Sequence, residues 1–247
     1  MTRTGAALLA LSAVLAIGFG FLGPWATTHV PTLALALMKA SGIAALAALA
    51  FSQHAPTEGA RTQGARPLGA GPLQGAGLLL GAGLSLGAVG DALLALGSRA
   101  SFLAGAGAFL LGHICYIVVF LGTGIGMRAA LRAPARVAAL LVLAGAGVAS
   151  SAMLFTPGSP LVAPLRVYSA VLTAMAMTSF TLAWSHWVAM AGAVLFFISD
   201  GFVAYDLFRP DNVASDGVRF AGWMIYWAGQ AGICVGGTGL TLTRRSP

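Results

Sequence analysis

The fold class is decided by residues 78–122, which read LLLGAGLSLGAVGDALLALGSRASFLAGAGAFLLGHICYIVVFLG. Two nearly continuous apolar runs flank the short polar segment GSRAS at 97–101. Each run approaches the roughly 20 residues that an α-helix needs to cross the hydrocarbon core of a bilayer. Neither run alternates between apolar and polar residues as a strand of a membrane β-barrel does. The stretch therefore predicts two transmembrane helices joined by a short turn.

The whole chain has a similar composition. Of its 247 residues, 58% are hydrophobic and 8% are charged, whereas soluble domains carry about 25% charged residues. So few charges cannot cover a water-exposed surface, which excludes an ordinary soluble enzyme and also intrinsic disorder. The 13 basic residues give a net charge of +7 but are scattered singly. They form no basic patch with interleaved aromatic residues, so no nucleic-acid partner is predicted.

Prolines divide the chain into eight apolar runs, since proline is tolerated in loops and in the first turn of a helix. The runs predict an all-α polytopic membrane protein, a bundle of eight transmembrane helices forming one domain over 1–247. The predicted spans are about 5–22, 31–51, 74–96, 102–123, 136–155, 163–184, 187–206 and 219–241. The first run resembles a signal peptide, but its length and the seven runs after it favour a retained helix. The Gly-, Pro- and Arg-rich connection 52–73 is predicted to be mobile.

Basic residues in the loops predict the orientation, because cytoplasmic loops carry an excess of Lys and Arg. The side of the N-terminus holds eight: Arg3, Arg61, Arg66, Arg128, Arg132, Arg136, Arg244 and Arg245. The other side holds four: Arg99, Arg166, Arg209 and Arg219. Both termini are therefore predicted to be cytoplasmic. A single Lys beside 12 Arg is typical of a GC-rich genome, which suggests a bacterial cytoplasmic membrane.

Three formally charged residues lie well inside predicted spans: Lys39, Asp91 and Asp200. Each costs roughly 2.5–3.5 kcal/mol at a helix centre when it is ionised and unpaired, so pairing, neutralisation or a wet cavity is required. In the predicted topology all three fall in the same half of the bilayer, as a shared cavity requires. Intramembrane acids are functional candidates by default. The alternative is a buried Lys–Asp pair that only joins helices.

Six further polar side chains lie at a compatible depth: His113, Tyr116, Arg166, Tyr168, Tyr226 and Gln230. His113 and Tyr116 are three residues apart and share one helix face. Tyr226 and Gln230 are four apart and do the same. These residues can bind or orient a substrate. The alternatives are a core histidine, tyrosines packed near the interface, a glutamine that joins helices, and an arginine that attracts a lipid phosphate.

Several chemistries have no signature in the right context. HExxH is absent, and so is a phosphate-binding glycine loop between a strand and a helix. The one GxSxG match, GLSLG at 83–87, lies inside an apolar helical run and not at the strand-to-helix turn that this motif requires. Three of the four histidines fall in predicted loops, so a three-histidine zinc site is not expected. Cys115 and Cys234 lie in spans without CxxC spacing. Neither a metal nor a cofactor is predicted, which leaves two carboxyl groups with polar neighbours.

Two carboxyl groups in a dry cavity suit acid–base hydrolysis. Burial favours the neutral form of a carboxyl group, so one can donate a proton while the other, with Lys39 nearby, activates water. A proton-coupled transporter would show the same acids. The patterns GDALLA at 90–95 and SDGFVA at 199–204 also hint at a four-plus-four repeat, and transporters often bind substrate between repeats.

Three stretches resemble the YhhN-like lysoplasmalogenase family. The most specific is GDALLALGSRASFLAGAGAFLLGHICYIVVF at 90–120, which is similar to the family's GD followed by GxxAFxxGHxxY. LFFISDGFVA at 195–204 resembles its LFxxSD motif and adds Ser199 beside Asp200. YWAGQAGI at 226–233 resembles the pattern of its final helix. The eight-span layout matches over essentially the whole chain. One departure is Ala40 after Lys39, where the family usually has proline.

The resemblance implies hydrolysis of the vinyl ether of lysoplasmalogens, which gives a fatty aldehyde and a glycerophospho-ethanolamine or -choline. It assigns the catalytic aspartates to Asp91 and Asp200, and the motif His and Tyr to His113 and Tyr116. The expected partners are the lysophospholipid substrate and membrane lipids. The alternatives are a proton-coupled transporter, a lipid-binding membrane protein without hydrolase activity, and hydrolysis of another lipid ether or ester.

Overall fold

The computed structural model describes residues 2–53, 72–154, 161–208 and 216–242, and within these ranges the regular structure is helical, with no strand. Eight long helices lie in them, with one short helix, α5, after α4. Their bounds are α1 Arg3–His29, α2 Thr32–Ser52, α3 Pro72–Ala95, α4 Arg99–Thr123, α5 Met127–Ala130, α6 Pro134–Leu154, α7 Val162–Ser179, α8 Trp187–Phe208 and α9 Asp216–Leu242. Most of the connection predicted to be mobile, 54–71, lies outside the described residues.

Six of the long helices are long and apolar enough to cross a membrane, which is the character of an integral membrane protein. The apolar segments are Arg3–Gly23, Thr32–Ser52, Gly75–Ala95, Arg99–Thr123, Pro134–Ala152 and Trp184–Tyr205. The last of them begins in a 3-10 turn, Trp184–His186, directly before α8. The other two, α7 and α9, carry more polar residues, and buried ones such as Thr178 and Ser179 donate to carbonyls three residues back in their own helix. A membrane crossing is therefore supported for six of the eight predicted spans, and it stays a prediction for α7 and α9.

Neighbours in sequence pack as neighbours in space, with α9 against several helices at once. Extensive contacts join α1 to α2, α2 to α3, α3 to α4, and α8 to α9, while α9 also touches α1, α2 and α3. α1 is joined to the bundle through Ser12, whose hydroxyl donates to Gly42 O at 2.7 Å and accepts from Trp227 Nε1 at 2.9 Å. Side chains from α2, α3, α4, α8 and α9 meet in one buried core.

The turn between α3 and α4 follows from three residues of the sequence. Gly97 has φ +72°, a left-handed conformation that favours glycine. Ser98 then caps α4: its Oγ accepts from Ser101 N at 3.0 Å, and Ser98 N donates to Ser101 Oγ at 3.1 Å, a capping box. This short connection lays α3 and α4 side by side and antiparallel, so that Gly90 near the end of α3 lies against Gly105 in the first half of α4.

Arg136, which was counted among the loop residues that predict the orientation, is buried against the end of α7. It is 2% exposed, and its Nη1 donates to the carbonyl oxygens of Phe180 and Leu182. Its guanidinium lies 4.7 Å from the centre of the Trp184 ring. A cation is favourable at the carbonyl end of a helix, so Arg136 stabilises the end of α7 and is a weak guide to membrane orientation.

The α8–α9 contact depends on glycine. A Cβ atom added at Gly192 would lie 2.5 Å from Ile233 N and 2.7 Å from Gly229 O. Both atoms belong to the backbone of α9, so they cannot rotate out of the way. Small residues permit this close approach, which in membranes replaces the hydrophobic force as the driver of helix packing.

We expect Gly192→Ala to destabilise the protein by about 1–3 kcal/mol, the usual cost of overpacking a close contact. Gly201→Ala in the same helix is the matched control, because a Cβ there would meet nothing within 4 Å. Thermal unfolding in detergent micelles measures the difference. Equal melting temperatures for the two variants would show that α8 and α9 do not pack this closely.

Candidate active site

Asp91 lies in the last turns of α3, between a cation and a phenol. Tyr226 of α9 donates to Asp91 Oδ2 at 2.7 Å, and Lys39 Nζ of α2 lies 3.8 Å from Asp91 Oδ1. The Asp91 side chain is 4% exposed and that of Lys39 is 23% exposed. Both oxygens of Asp91 therefore face a donor or a positive charge, which suits a carboxylate.

A hydrogen-bonded chain extends from Asp91 into the bundle. Gln230 Nε2 lies 3.4 Å from Tyr226 OH, and Tyr116 OH donates to Gln230 Oε1 at 2.8 Å. Gln230 is fully buried and Tyr116 is 1% exposed. Every donor in this chain points towards Asp91, so α4 and α9 hold the Tyr226 hydroxyl in its orientation. We call Lys39, Asp91, Tyr226, Gln230 and Tyr116 the Asp91 cluster.

Tyr116→Phe is expected to lower stability by about 1–3 kcal/mol, because the buried Gln230 carbonyl loses its donor while the ring volume is kept. Tyr205→Phe is the control, since Tyr205 is 43% exposed. Thermal unfolding measures the effect, and a Tyr116→Phe protein as stable as the control would contradict the described chain of hydrogen bonds.

Asp200 of α8 has different partners. The Tyr168 hydroxyl of α7 donates to Asp200 Oδ2, and His113 Nε2 of α4 lies 3.2 Å from Tyr168 OH. His113 is fully buried, whereas Asp200 is half-buried. We call these three residues the Asp200 cluster. No cation faces Asp200 among the described residues, in contrast to Asp91.

An aromatic wall joins the two clusters. The Phe196 ring of α8 lies 4.9 Å from the ring of His113 and 5.3 Å from that of Tyr226, and Phe109 of α4 lies 6.0 Å from Tyr226. The two clusters thus meet on either side of Phe196, with His113 of the Asp200 cluster on one side and Tyr226 of the Asp91 cluster on the other. The sequence does not distinguish either phenylalanine from its apolar neighbours, although each lies inside a motif. Phe109 lies four residues before His113, and Phe196 lies four residues before Asp200, so each shares a helix face with its partner.

The structure brings together most of the predicted site residues, but two lie apart. Ser199 is 1% exposed, and its hydroxyl donates to Phe196 O in its own helix at 2.7 Å. Arg166 is exposed, because residues two apart point to different sides of a helix and Tyr168 points inward. Ser199 and Arg166 belong to neither hydrogen-bonded cluster, and their role in substrate binding stays a prediction.

Within the described ranges, no three His, Cys, Asp or Glu side chains lie close enough together to hold a metal ion. An open apolar groove of about 390 Å³ lies beside the N-terminal half of α8, with Phe180, Trp184 and Trp187 in its lining. It contains none of the residues of the two clusters. The titratable side chains that the two clusters bring together are the two carboxyl groups, the Lys39 ammonium, three phenols and one imidazole.

The fold and the site together define an integral membrane protein with a protected pair of carboxyl groups between its helices. The chain belongs to the YhhN family, whose model matches residues 34–237. The matched part runs from α2 into α9 and contains every residue of both clusters. A search of curated proteins and a search of solved structures each found no match.

Proposed function

We propose that the protein is an intramembrane hydrolase that cleaves the vinyl ether of lysoplasmalogens, giving a fatty aldehyde and glycerophospho-ethanolamine or -choline. Membership of the YhhN family supports this class of reaction. The observation that carries the proposal is the unequal environment of two neighbouring carboxyl groups. Asp91 faces Lys39 and Tyr226, while Asp200 faces Tyr168. Environments that differ in this way divide acid and base roles between two carboxyl groups.

Asp200 is assigned the role of general acid. Tyr168 occupies its Oδ2, which leaves Oδ1 to carry a proton towards the substrate. Transfer of this proton to the alkenyl carbon distal to the ether oxygen forms a C–H bond from the π electrons of the double bond. The product is an oxocarbenium ion, whose positive charge the two carboxylates stabilise. The apolar rings of Phe109 and Phe196 beside the clusters lower the local dielectric constant, which strengthens such electrostatic effects.

Asp91 is assigned the role of general base. Its carboxylate accepts a proton from the water molecule that attacks the carbon bonded to the ether oxygen, and a hemiacetal forms. Collapse of the hemiacetal breaks the bond to the glycerol oxygen, which takes the proton back from Asp91. The hemiacetal hydroxyl loses its proton to Asp200, so both residues return to their starting states and one water is consumed. General acid and base catalysis of this kind contributes about 10²–10⁴-fold in rate.

The proposed function is tested with purified protein in detergent and three matched lysolipids. These carry a vinyl ether, a saturated ether or an ester at the same glycerol position. Aldehyde from the vinyl ether alone is the expected result. Fatty acid from the ester lipid would instead indicate an esterase.

The transporter alternative needs a separate experiment, because a transporter releases no product from its substrate. Reconstituted liposomes loaded with a pH-sensitive dye report proton movement when a lysolipid is added. The proposal expects aldehyde release without proton flux. Lysolipid-driven proton flux with no aldehyde would contradict it and favour a proton-coupled transporter.

A further inference from the structure

His113 has one ring nitrogen whose bonding the structure leaves open. Among buried side-chain nitrogen and oxygen atoms in the described part of the chain, Nδ1 of His113 is the one without a hydrogen-bond partner. The side chain is fully buried, and a polar group left unpaired at such a position is destabilising. A buried group of this kind calls for an explanation, and a ligand that completes its hydrogen bond is one.

The Asp200 cluster fixes which kind of ligand fits. Tyr168 has a single hydroxyl proton, which it donates to Asp200, so its oxygen accepts from His113 Nε2. His113 therefore carries its proton on Nε2, and Nδ1 presents a lone pair. This tautomer is assigned from the hydrogen-bond network. Only a ligand with an O–H or N–H group can complete the site.

A lysolipid offers such a donor near the reacting bond. Its free glycerol hydroxyl lies on the carbon next to the one that bears the ether oxygen. His113 is linked to Asp200 through Tyr168, so a group one carbon away from the reacting ether is within the same part of the site. The choline head group has no N–H, and the ionised phosphate has no donor. The free hydroxyl is thus the donor shared by the ethanolamine and choline lipids. An acyl chain at this position would remove it.

We propose that Nδ1 of His113 accepts a hydrogen bond from the free glycerol hydroxyl of the lysolipid, and that this contact selects lysolipids over lipids acylated there. The inference rests on the proposed function for the identity of the lipid. A buried acceptor that is left unpaired by the wrong ligand is an effective means of discrimination. A bound water molecule has the same donor chemistry, and the experiment below separates the two sources.

The test measures binding, so it does not depend on turnover. The probes are a saturated 1-O-alkyl lysophosphocholine and its 2-deoxy analogue, which lacks the hydroxyl without added bulk. Protein in nanodiscs is titrated with each probe. The wild-type protein is expected to bind the hydroxyl-bearing lipid about tenfold more tightly than the 2-deoxy lipid, because the 2-deoxy lipid leaves a buried acceptor without a hydrogen bond. Equal affinities would mean that water completes Nδ1, and would overturn the assignment.

Two variants of His113 separate the two ring nitrogens. His113→Asn keeps a polar atom near the position of Nδ1, and His113→Gln keeps one near the position of Nε2. The preference for the hydroxyl is expected to persist in His113→Asn and to vanish in His113→Gln. A preference that survives in His113→Gln would overturn the proposal. Thermal unfolding of both variants provides the check that they fold.

The proposed role of His113 and the proposed hydrolysis can be refuted independently of each other. A hydroxyl preference that depends on His113, in a protein that releases no aldehyde, would support the binding site and contradict the hydrolase. Aldehyde release without any hydroxyl preference would support the hydrolase and contradict the role of His113.

Discussion

The Asp200→Asn variant is expected to release aldehyde from lysoplasmalogen about 10²–10⁴-fold more slowly than the wild-type protein, because an amide cannot protonate the alkenyl carbon. The variant should fold, since asparagine is nearly isosteric and its carbonyl oxygen can still accept from Tyr168. Mass spectrometry of the aldehyde gives the rate, and binding of the saturated ether lysolipid should be retained. Retained binding would place the loss in the chemical step.

Tyr205→Phe is the matched control for this prediction, because Tyr205 lies on the same helix and is 43% exposed. It should leave both the rate and the melting temperature near their wild-type values. Asp200→Glu gives a second comparison, as it restores the acid at a shifted position. An Asp200→Asn protein with normal turnover would refute the assignment of Asp200 as the proton donor.

The second large effect is expected for Asp91→Asn. Aldehyde release should fall by a similar about 10²–10⁴-fold, because an amide does not accept the proton of the attacking water. This variant should also lose stability, since the Lys39 ammonium is left beside a neutral group. The loss should be smaller than the roughly 3–5 kcal/mol of a fully buried broken pair, because the Lys39 side chain is 23% exposed.

The double variant Lys39→Met/Asp91→Asn separates the structural role of the ion pair from the chemical role of Asp91. Methionine keeps the length of the side chain and removes the charge, so the double variant should recover most of the lost melting temperature. Turnover should stay as low as in the single variant. Recovery of turnover together with stability would mean that Asp91 only neutralises Lys39, and the base would then have to be another group.

Much of the site could be predicted from the sequence, because charge is costly inside a bilayer. Lys39, Asp91 and Asp200 stood out as charges within apolar runs, and their shared depth predicted that they would meet. Spacing along one helix grouped Tyr226 with Gln230, and these two side chains are hydrogen-bonded. His113 and Tyr116 also share a helix face, but they belong to different clusters. The periodicity of a helix is a local property, so a single sequence contains it.

Contacts between helices were beyond the sequence, because they depend on how each helix is rotated against its neighbours. The pairing of Tyr168 with Asp200, and of Tyr226 with Asp91, is of this kind. Ser199 shows the converse: it lies beside Asp200 in the chain, but its hydroxyl donates to a carbonyl of its own helix. Phe109 and Phe196 could not be predicted as site residues, because an apolar side chain within an apolar span does not differ from its neighbours.

The most direct test of the proposed reaction is product analysis in water labelled with ¹⁸O. Purified protein is incubated with a lysoplasmalogen, and both products are analysed by mass spectrometry, with the aldehyde trapped as it forms. Attack of water on the vinyl carbon predicts a fatty aldehyde together with a glycerophospho product that contains no ¹⁸O. A labelled glycerophospho product would place the attack on the glycerol carbon, and the absence of aldehyde would contradict vinyl ether hydrolysis itself.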